Sequence, residues 1–217
     1  MNALQEIRQR NEEYMKNFSE NRMVQLFKDG RTPEGLKEEI IQYGQVWSDT
    51  FQHVVTMRAA CENDPAFRPA AEEHLAEEIG HNQLLQKLHS GPPKWDPVVA
   101  ASSSWFVHQM QVLSSPERSA LAHLVLEGAG TVALQAGSLS FPESEYFALH
   151  DEADEGHMEM GYAQLAAAPH VPAAQILEIL EKGWKMVFEL CNRIAQCAET
   201  AYSLRADDWQ VGVGIKV

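Results

Sequence analysis

Two short segments of this 217-residue chain carry histidine and acid at one shared spacing. The first runs from His74 through Glu77 and Glu78 to His81, the second from His150 through Asp151 and Asp154 to His157. Each places a carboxylate four residues after one histidine and three before the next. On a helix turning about 100° per residue, His74, Glu78 and His81 fall within roughly 60° of arc, as do His150, Asp154 and His157. Imidazole and carboxylate groups lined up in this way can converge on a metal ion, and helical bundles hold two irons or manganeses with such pairs. The mixed nitrogen and oxygen donors suit iron better than zinc, which leans towards thiolates or closed tetrahedral sites. The competing reading is two solvated helix faces that happen to carry histidine. Two such triplets by accident would be on the order of one chain in a thousand on independent residue frequencies, so metal ligation is the working expectation.

Two ions bring four positive charges and call for further acids. Glu127 is the sole acid in the apolar and small-residue run from Ala120 to Leu134. A buried carboxylate needs a cation, a hydrogen bond or a proton, so Glu127 is a candidate ligand, with a surface or structural acid as the alternative. His123, one turn earlier, reads as a residue packed behind the site or in the core. His53, His89, His108 and His170 have no acid at suitable spacing and read as core or surface. The Tyr43, Trp47 and Phe51 stripe reads as core and pocket wall. Arg58 ends that helix, where it pairs with a substrate carboxylate or makes a surface ion pair. These four are the candidate substrate-binding residues.

The elements that must position these groups are helical almost throughout. Apolar periodicity predicts helices over about 2–28, 32–60, 68–89, 98–113, 117–137, 143–167 and 173–204. The prolines of 90–97 mark the clearest loop. Strict alternation is confined to the last residues, VGVGIKV, and 205–217 is expected to be irregular. Seven helices with short links predict an all-α, single-domain bundle over 1–217, with its site on inward faces of neighbouring helices. The 31 acidic against 17 basic residues give a net charge of -14, which repels phosphate backbones and anionic lipid; nucleic acid and membrane are therefore not expected as partners. No apolar run reaches the length of a membrane span. The N-terminus lacks the apolar core of a signal peptide, and a cytoplasmic location is expected. Three scattered cysteines argue against a disulfide framework.

With Glu77-Glu78-Ile-Gly-His81, the lone Glu127 and His150-x3-Asp154-x2-His157 in view, the chain resembles the heme-oxygenase-like diiron oxidase/oxygenase superfamily. Its E-x-G-H form is most similar to the branch of the fatty-acid decarboxylase that makes terminal alkenes. The LFKDGRTPEGL segment entering a long aromatic-rich helix also resembles that fold. The resemblance implies a seven-helix bundle, usually a homodimer, with two ferrous ions (manganese is the alternative) and O2 as co-substrate. It implies oxidation of a small carboxylate-bearing substrate, a fatty acid or an amino acid, with room for an external electron donor. Carried over, the ligands are Glu78, His81, Glu127, His150, Asp154 and His157. Many members place their first glutamate seven residues before its histidine, where this chain has His74. Either the shorter Glu78–His81 pair serves, or His74 is itself a ligand, and Glu77 is a further contender. Two alternatives stay on the same fold without iron, a thiaminase-like hydrolase using Cys191 as nucleophile and a cofactor-free oxidase. A heme bound through His53 and a metal-storage bundle without organic substrate are the others.

Overall fold

The computed structural model describes residues 2–168 and 171–213, and the side chains among them except those of 150–155 and 206–213. All described elements are helical. They are α1 (Ala3–Phe18), α2 (Arg22–Lys28), α3 (Glu34–Cys61), α4 (Arg68–Glu78), α5 (His81–Gln86), α6 (Pro97–Val112), α7 (Ser115–Ser119), a π-helical segment (Ala120–Leu126), α8 (Glu127–Ser140), α9 (Glu145–Ala167) and α10 (Ala173–Val213). No described helix is long and apolar enough to cross a membrane. All three cysteines are free.

The departures from seven simple rods have local causes. The first expected helix is two, because Asn21 leaves the helical conformation and caps α2, its side chain accepting from the Met23 N–H. The expected helix over 68–89 breaks at Gly80, whose φ of 94° lies in the left-handed region that glycine enters without steric cost. Gln52 on α3 covers the break: its Nε2 donates to the Glu78 carbonyl at 3.1 Å and its Oε1 accepts from the Gly80 N–H at 2.7 Å. α7, the π segment and α8 form one rod, since the residues at both joints keep right-handed helical angles. At the far end, α10 continues to Val213, so 205–213 is helical rather than irregular; no proline interrupts the chain after Pro172.

The core is built on α10 and the α7–π–α8 rod. Trp184 on α10 is fully buried, and its indole N–H donates to Asn11 Oδ1 at 2.8 Å while Asn11 Nδ2 donates to the Tyr162 hydroxyl at 3.2 Å. One buried amide thereby ties α1, α9 and α10 together. Every residue of the π segment is buried. On α9, Gly161 lets that helix close onto it, because a Cβ there would sit 2.6 Å from His123 Cβ. At the α3–α4 corner, buried Glu62 accepts from Ser115 Oγ at 2.6 Å and faces Arg118 at 3.4 Å. These contacts bring the inner faces of α3, α4, the π segment and α9 around one point.

Candidate metal centre

Four elements each send titratable side chains to that point. His74 and Glu78 come from α4, Glu127 from the first residue of α8 and His157 from α9; all four are buried, with one ligand-type atom of each within 4.8 Å of the others. The π segment carries His123 and ends on Glu127. Such wider turns inside α-helices recur at functional sites because they re-aim side chains.

Glu127 is the hub. Its Oε1 lies 2.8 Å from His74 Nε2 and its Oε2 lies 3.2 Å from His157 Nδ1. The second nitrogen of His157 lies 2.7 Å from Glu77 Oε2. His81, at the start of α5, places Nδ1 3.0 Å from Glu78 Oε2. Behind the cluster, Arg58 is 1% exposed, with NH1 2.9 Å from His74 Nδ1 and NH2 2.7 Å from His123 Nε2.

Burial works against every charge here, and partners decide the outcome. Burial raises Glu127, but His74 and His157 outweigh it and hold its carboxyl below the ordinary range. Burial lowers the His157 imidazolium, yet its bonds to Glu127 and Glu77 lift the pKa to about 9. Burial and the adjacent Arg58 keep His123 far below ordinary histidine values, so it stays neutral. Arg58 is pulled down to about 10 by burial, with Glu127 and Glu62 opposing, and remains a cation at neutral pH.

The pH dependence follows. A pKa raised from 6.5 to about 9 contributes stability that is fully present below 6.5 and lost as pH rises through 9. In metal-free protein the contribution is on the order of 2–3 kcal/mol, so melting temperature is expected to fall by about 5–10 °C between pH 6.5 and pH 9.5. Calorimetric melts in chelator check this. His157→Gln, which cannot titrate, is expected to remove most of the difference.

The donor set fits a transition-metal centre. Two buried carboxylates and an imidazole held between acids are hard and borderline donors of the kind iron and manganese accept. In the metal-free arrangement, protons on His157 and the Arg58 charge occupy the place that cations would neutralise. His157 also has the surroundings of a ligating histidine: when one nitrogen binds, the other still donates to a carboxylate.

Beside the cluster lies a cavity of about 160 Å³. Trp47, Phe51, Leu126 and Phe147 are among its mostly apolar walls, while Glu78, Glu127 and His81 contribute two carboxylates and an imidazole to the lining.

No known family profile matches the chain. It is 32% identical over 190 residues to the uncharacterized protein RP592 of Rickettsia prowazekii (strain Madrid E), covering 86% of this chain and 91% of that one. The chain belongs to the RP592 family. Solved structures similar to this member of the family share the heme-oxygenase-like fold at low sequence identity. A domain of unknown function with that fold from Shewanella denitrificans OS217 superposes with a TM-score of 0.71 at 14% identity, covering 95% of each chain. A TenA homologue from Pyrococcus furiosus gives 0.71 at 12%, over 91% of this chain and all of that one (100%). A TenA homologue from Pseudomonas syringae pv. tomato gives 0.67 at 13%, over 88% and 92%.

On this RP592-family chain, the residues singled out from sequence sort as follows. Glu78, Glu127 and His157 meet in the buried cluster, His74 joins them, His81 sits at the rim and Glu77 reaches in from a half-exposed position. His81 is not on one unbroken helix with Glu78, as the stripe argument assumes, but it still faces it across the Gly80 break. His150 and Asp154 lie on α9, and their side chains are outside the described residues. Trp47 and Phe51 line the cavity; Tyr43 does not, its ring lying 5.8 Å from Lys94 Nζ. Arg58 makes neither a surface ion pair nor a cavity contact, because it is buried against two histidines. His53 is exposed and does not suit a heme ligand buried in the core. Cys191 lines the cavity, and burial pushes its thiol up to about 12, which favours the thiol over the thiolate.

Proposed function

We propose that this chain is an O2-dependent oxidase or oxygenase that uses two first-row transition-metal ions, iron before manganese, on a small and largely apolar substrate. The observation that carries the reading is the convergence of Glu78, Glu127 and His157, from three separate elements, with Glu78 and Glu127 also facing an apolar cavity. An inward cluster of this kind destabilises a core unless something binds it. The resemblance of the two histidine–acid segments to diiron oxidases supplies the metal count and extends the ligand set to His81, His150 and Asp154.

When bound, such ions activate O2 and supply the redox chemistry. The chain's own residues hold, orient and keep dry. Glu78, Glu127, His157 and His81 are the described candidates to hold the ions. Loading requires His157 to release a proton, since a ligating nitrogen must present a lone pair. Glu77, 2.7 Å from His157 Nε2 and half exposed, accepts the hydrogen the ring keeps and orients its other nitrogen, Nδ1, towards the site. Trp47, Phe51 and Phe147 exclude water from the substrate side.

The cavity is close to the roughly 150 Å³ that admits benzene in an engineered protein core, so the substrate portion it takes is compact. No lysine or arginine lines it among the described residues, and a substrate carboxylate would find no protein cation there. A storage bundle without organic substrate has no use for such a cavity. A homodimer and an external reductant belong to the same proposal.

Oxygen uptake tests it. Metal-free protein loaded anaerobically with ferrous ion, then given O2, reductant and a panel of small aromatic and aliphatic compounds, is expected to consume O2 faster with one compound class. Glu127→Gln is expected to abolish that increment. Full turnover by metal-free wild type would overturn the proposal.

A further inference from the structure

Within the metal-centre reading, on which this inference rests, we propose that His74 is not a metal ligand but a positioning residue: a hydrogen-bond donor to Glu127, locked in that role by Arg58. The argument is one of proton placement. A guanidinium carries five N–H donors and no acceptor. Arg58 NH1 lies 2.9 Å from His74 Nδ1, so that nitrogen must present its lone pair to the arginine. The ring hydrogen then resides on Nε2, which lies 2.8 Å from Glu127 Oε1 and donates to it. A metal needs a nitrogen lone pair, and the one lone pair of His74 is already engaged.

His157 shows the opposite polarity. Both of its nitrogens face carboxylates, Glu127 at 3.2 Å and Glu77 at 2.7 Å. It can lose one proton to solvent, offer the freed lone pair to a metal and keep donating with the other nitrogen, as ligating histidines commonly do. In His74 the far nitrogen meets a donor instead, so binding through Nε2 would demand an imidazolate.

His123 completes the lock. Its Nε2 accepts from Arg58 NH2 at 2.7 Å, which fixes its hydrogen on Nδ1. The two imidazole rings stand 5.0 Å apart between centroids, bridged by one guanidinium. Arg58 is planar and its donors form a rigid fork. It therefore sets the angle of His74 and, through it, of the Glu127 carboxylate. The position at which the resembling family carries an acid thus holds a neutral donor backed by a buried cation, and Glu127 keeps its second oxygen for the metal side.

The test uses full-length protein with 15N-labelled histidine and Zn2+ as a diamagnetic probe. In metal-free protein, long-range proton–nitrogen spectra are expected to show His74 protonated at Nε2 and unprotonated at Nδ1; the reverse tautomer would overturn the lock. At Zn2+ saturation His74 is expected to keep its Nε2 hydrogen while His157 loses one of its two. Loss of the His74 Nε2 hydrogen on binding would overturn the inference. If no histidine signal responds to Zn2+, the metal-centre reading and the non-ligand assignment built on it both fail, while the metal-free spectrum still decides the Arg58 lock separately. In parallel, His74→Gln, which retains a donor near Nε2, is expected to keep Zn2+ affinity within about tenfold, whereas His74→Ala loses about 10–100-fold. Equal, larger losses in both variants would mark a ligand.

Discussion

Glu127→Ala is expected to cost the protein both its metal binding and much of its stability. The carboxylate takes the hydrogens of His74 and His157 at 2.8 and 3.2 Å and is the buried charge that most favours the Arg58 cation. Without it, His157 keeps Glu77 alone, His74 Nε2–H loses its acceptor and Arg58 loses its counter-charge. Breaking a buried charge network from one side costs about 3–5 kcal/mol, or roughly 6–20 °C in melting temperature. Co2+ affinity is expected to fall by more than the roughly 100-fold typical of removing a supporting partner. Glu127→Gln separates the two effects, since the amide still offers one acceptor and fills the space. It should recover part of the stability and none of the affinity. Calorimetry and equilibrium dialysis read the two quantities independently, and an alanine variant that melts like wild type would contradict the network.

Arg58→Met is expected to give the second largest loss. Methionine fills part of the space but leaves His74 Nδ1 and His123 Nε2 facing an apolar side chain. Each abandoned buried acceptor costs about 1–3 kcal/mol, for an expected total on the order of 2–5 kcal/mol in denaturant unfolding of metal-free protein. Arg58→Lys should restore less than half of this, because one ammonium cannot reproduce the planar fork that reaches both rings. The methionine variant is expected to bind Co2+ about 10–100-fold more weakly than wild type, relative to its folded fraction, since nothing then holds the ring through which His74 orients Glu127. Unchanged affinity beside the stability loss would mean that Arg58 does not set the angle of Glu127.

The helical class was legible because the apolar period of 3.6 persists over nearly the whole chain, while the heme-oxygenase-like layout was legible only through the resemblance carried by the histidine–acid segments. What the period could not show was how rods end. Gly80 sits inside an apparently continuous run, and only the φ it adopts, with Gln52 waiting on α3 to satisfy the exposed backbone, makes it a break. The π segment is equally hidden, since Ala120–Leu126 reads as ordinary helix in the sequence, although it is buried and packs against α9 and α10 in the fold. The residue types and spacing single out Glu78, Glu127 and His157, which the fold brings into one buried cluster. Arg58 does lie in the last turn of α3, but buried against two histidines rather than at the surface or in the cavity, and a signal exists: Trp47, Phe51, Val54 and Arg58 follow at intervals of four, three and four, a stripe that passes from partly buried rings to the buried arginine. His74 illustrates the limit of spacing arguments. Its place on the stripe was right, but whether an imidazole binds metal depends on which nitrogen keeps its hydrogen, and α3, sixteen residues back along the chain, decides that.

The most direct measurement is the iron content of the protein after anaerobic ferrous loading. Wild type, loaded metal-free and passed through a desalting column, is expected to retain about two irons per chain, with Glu127→Gln retaining almost none. Wild type emerging without iron, or the variant holding as much as wild type, would contradict the metal centre on which the functional account stands.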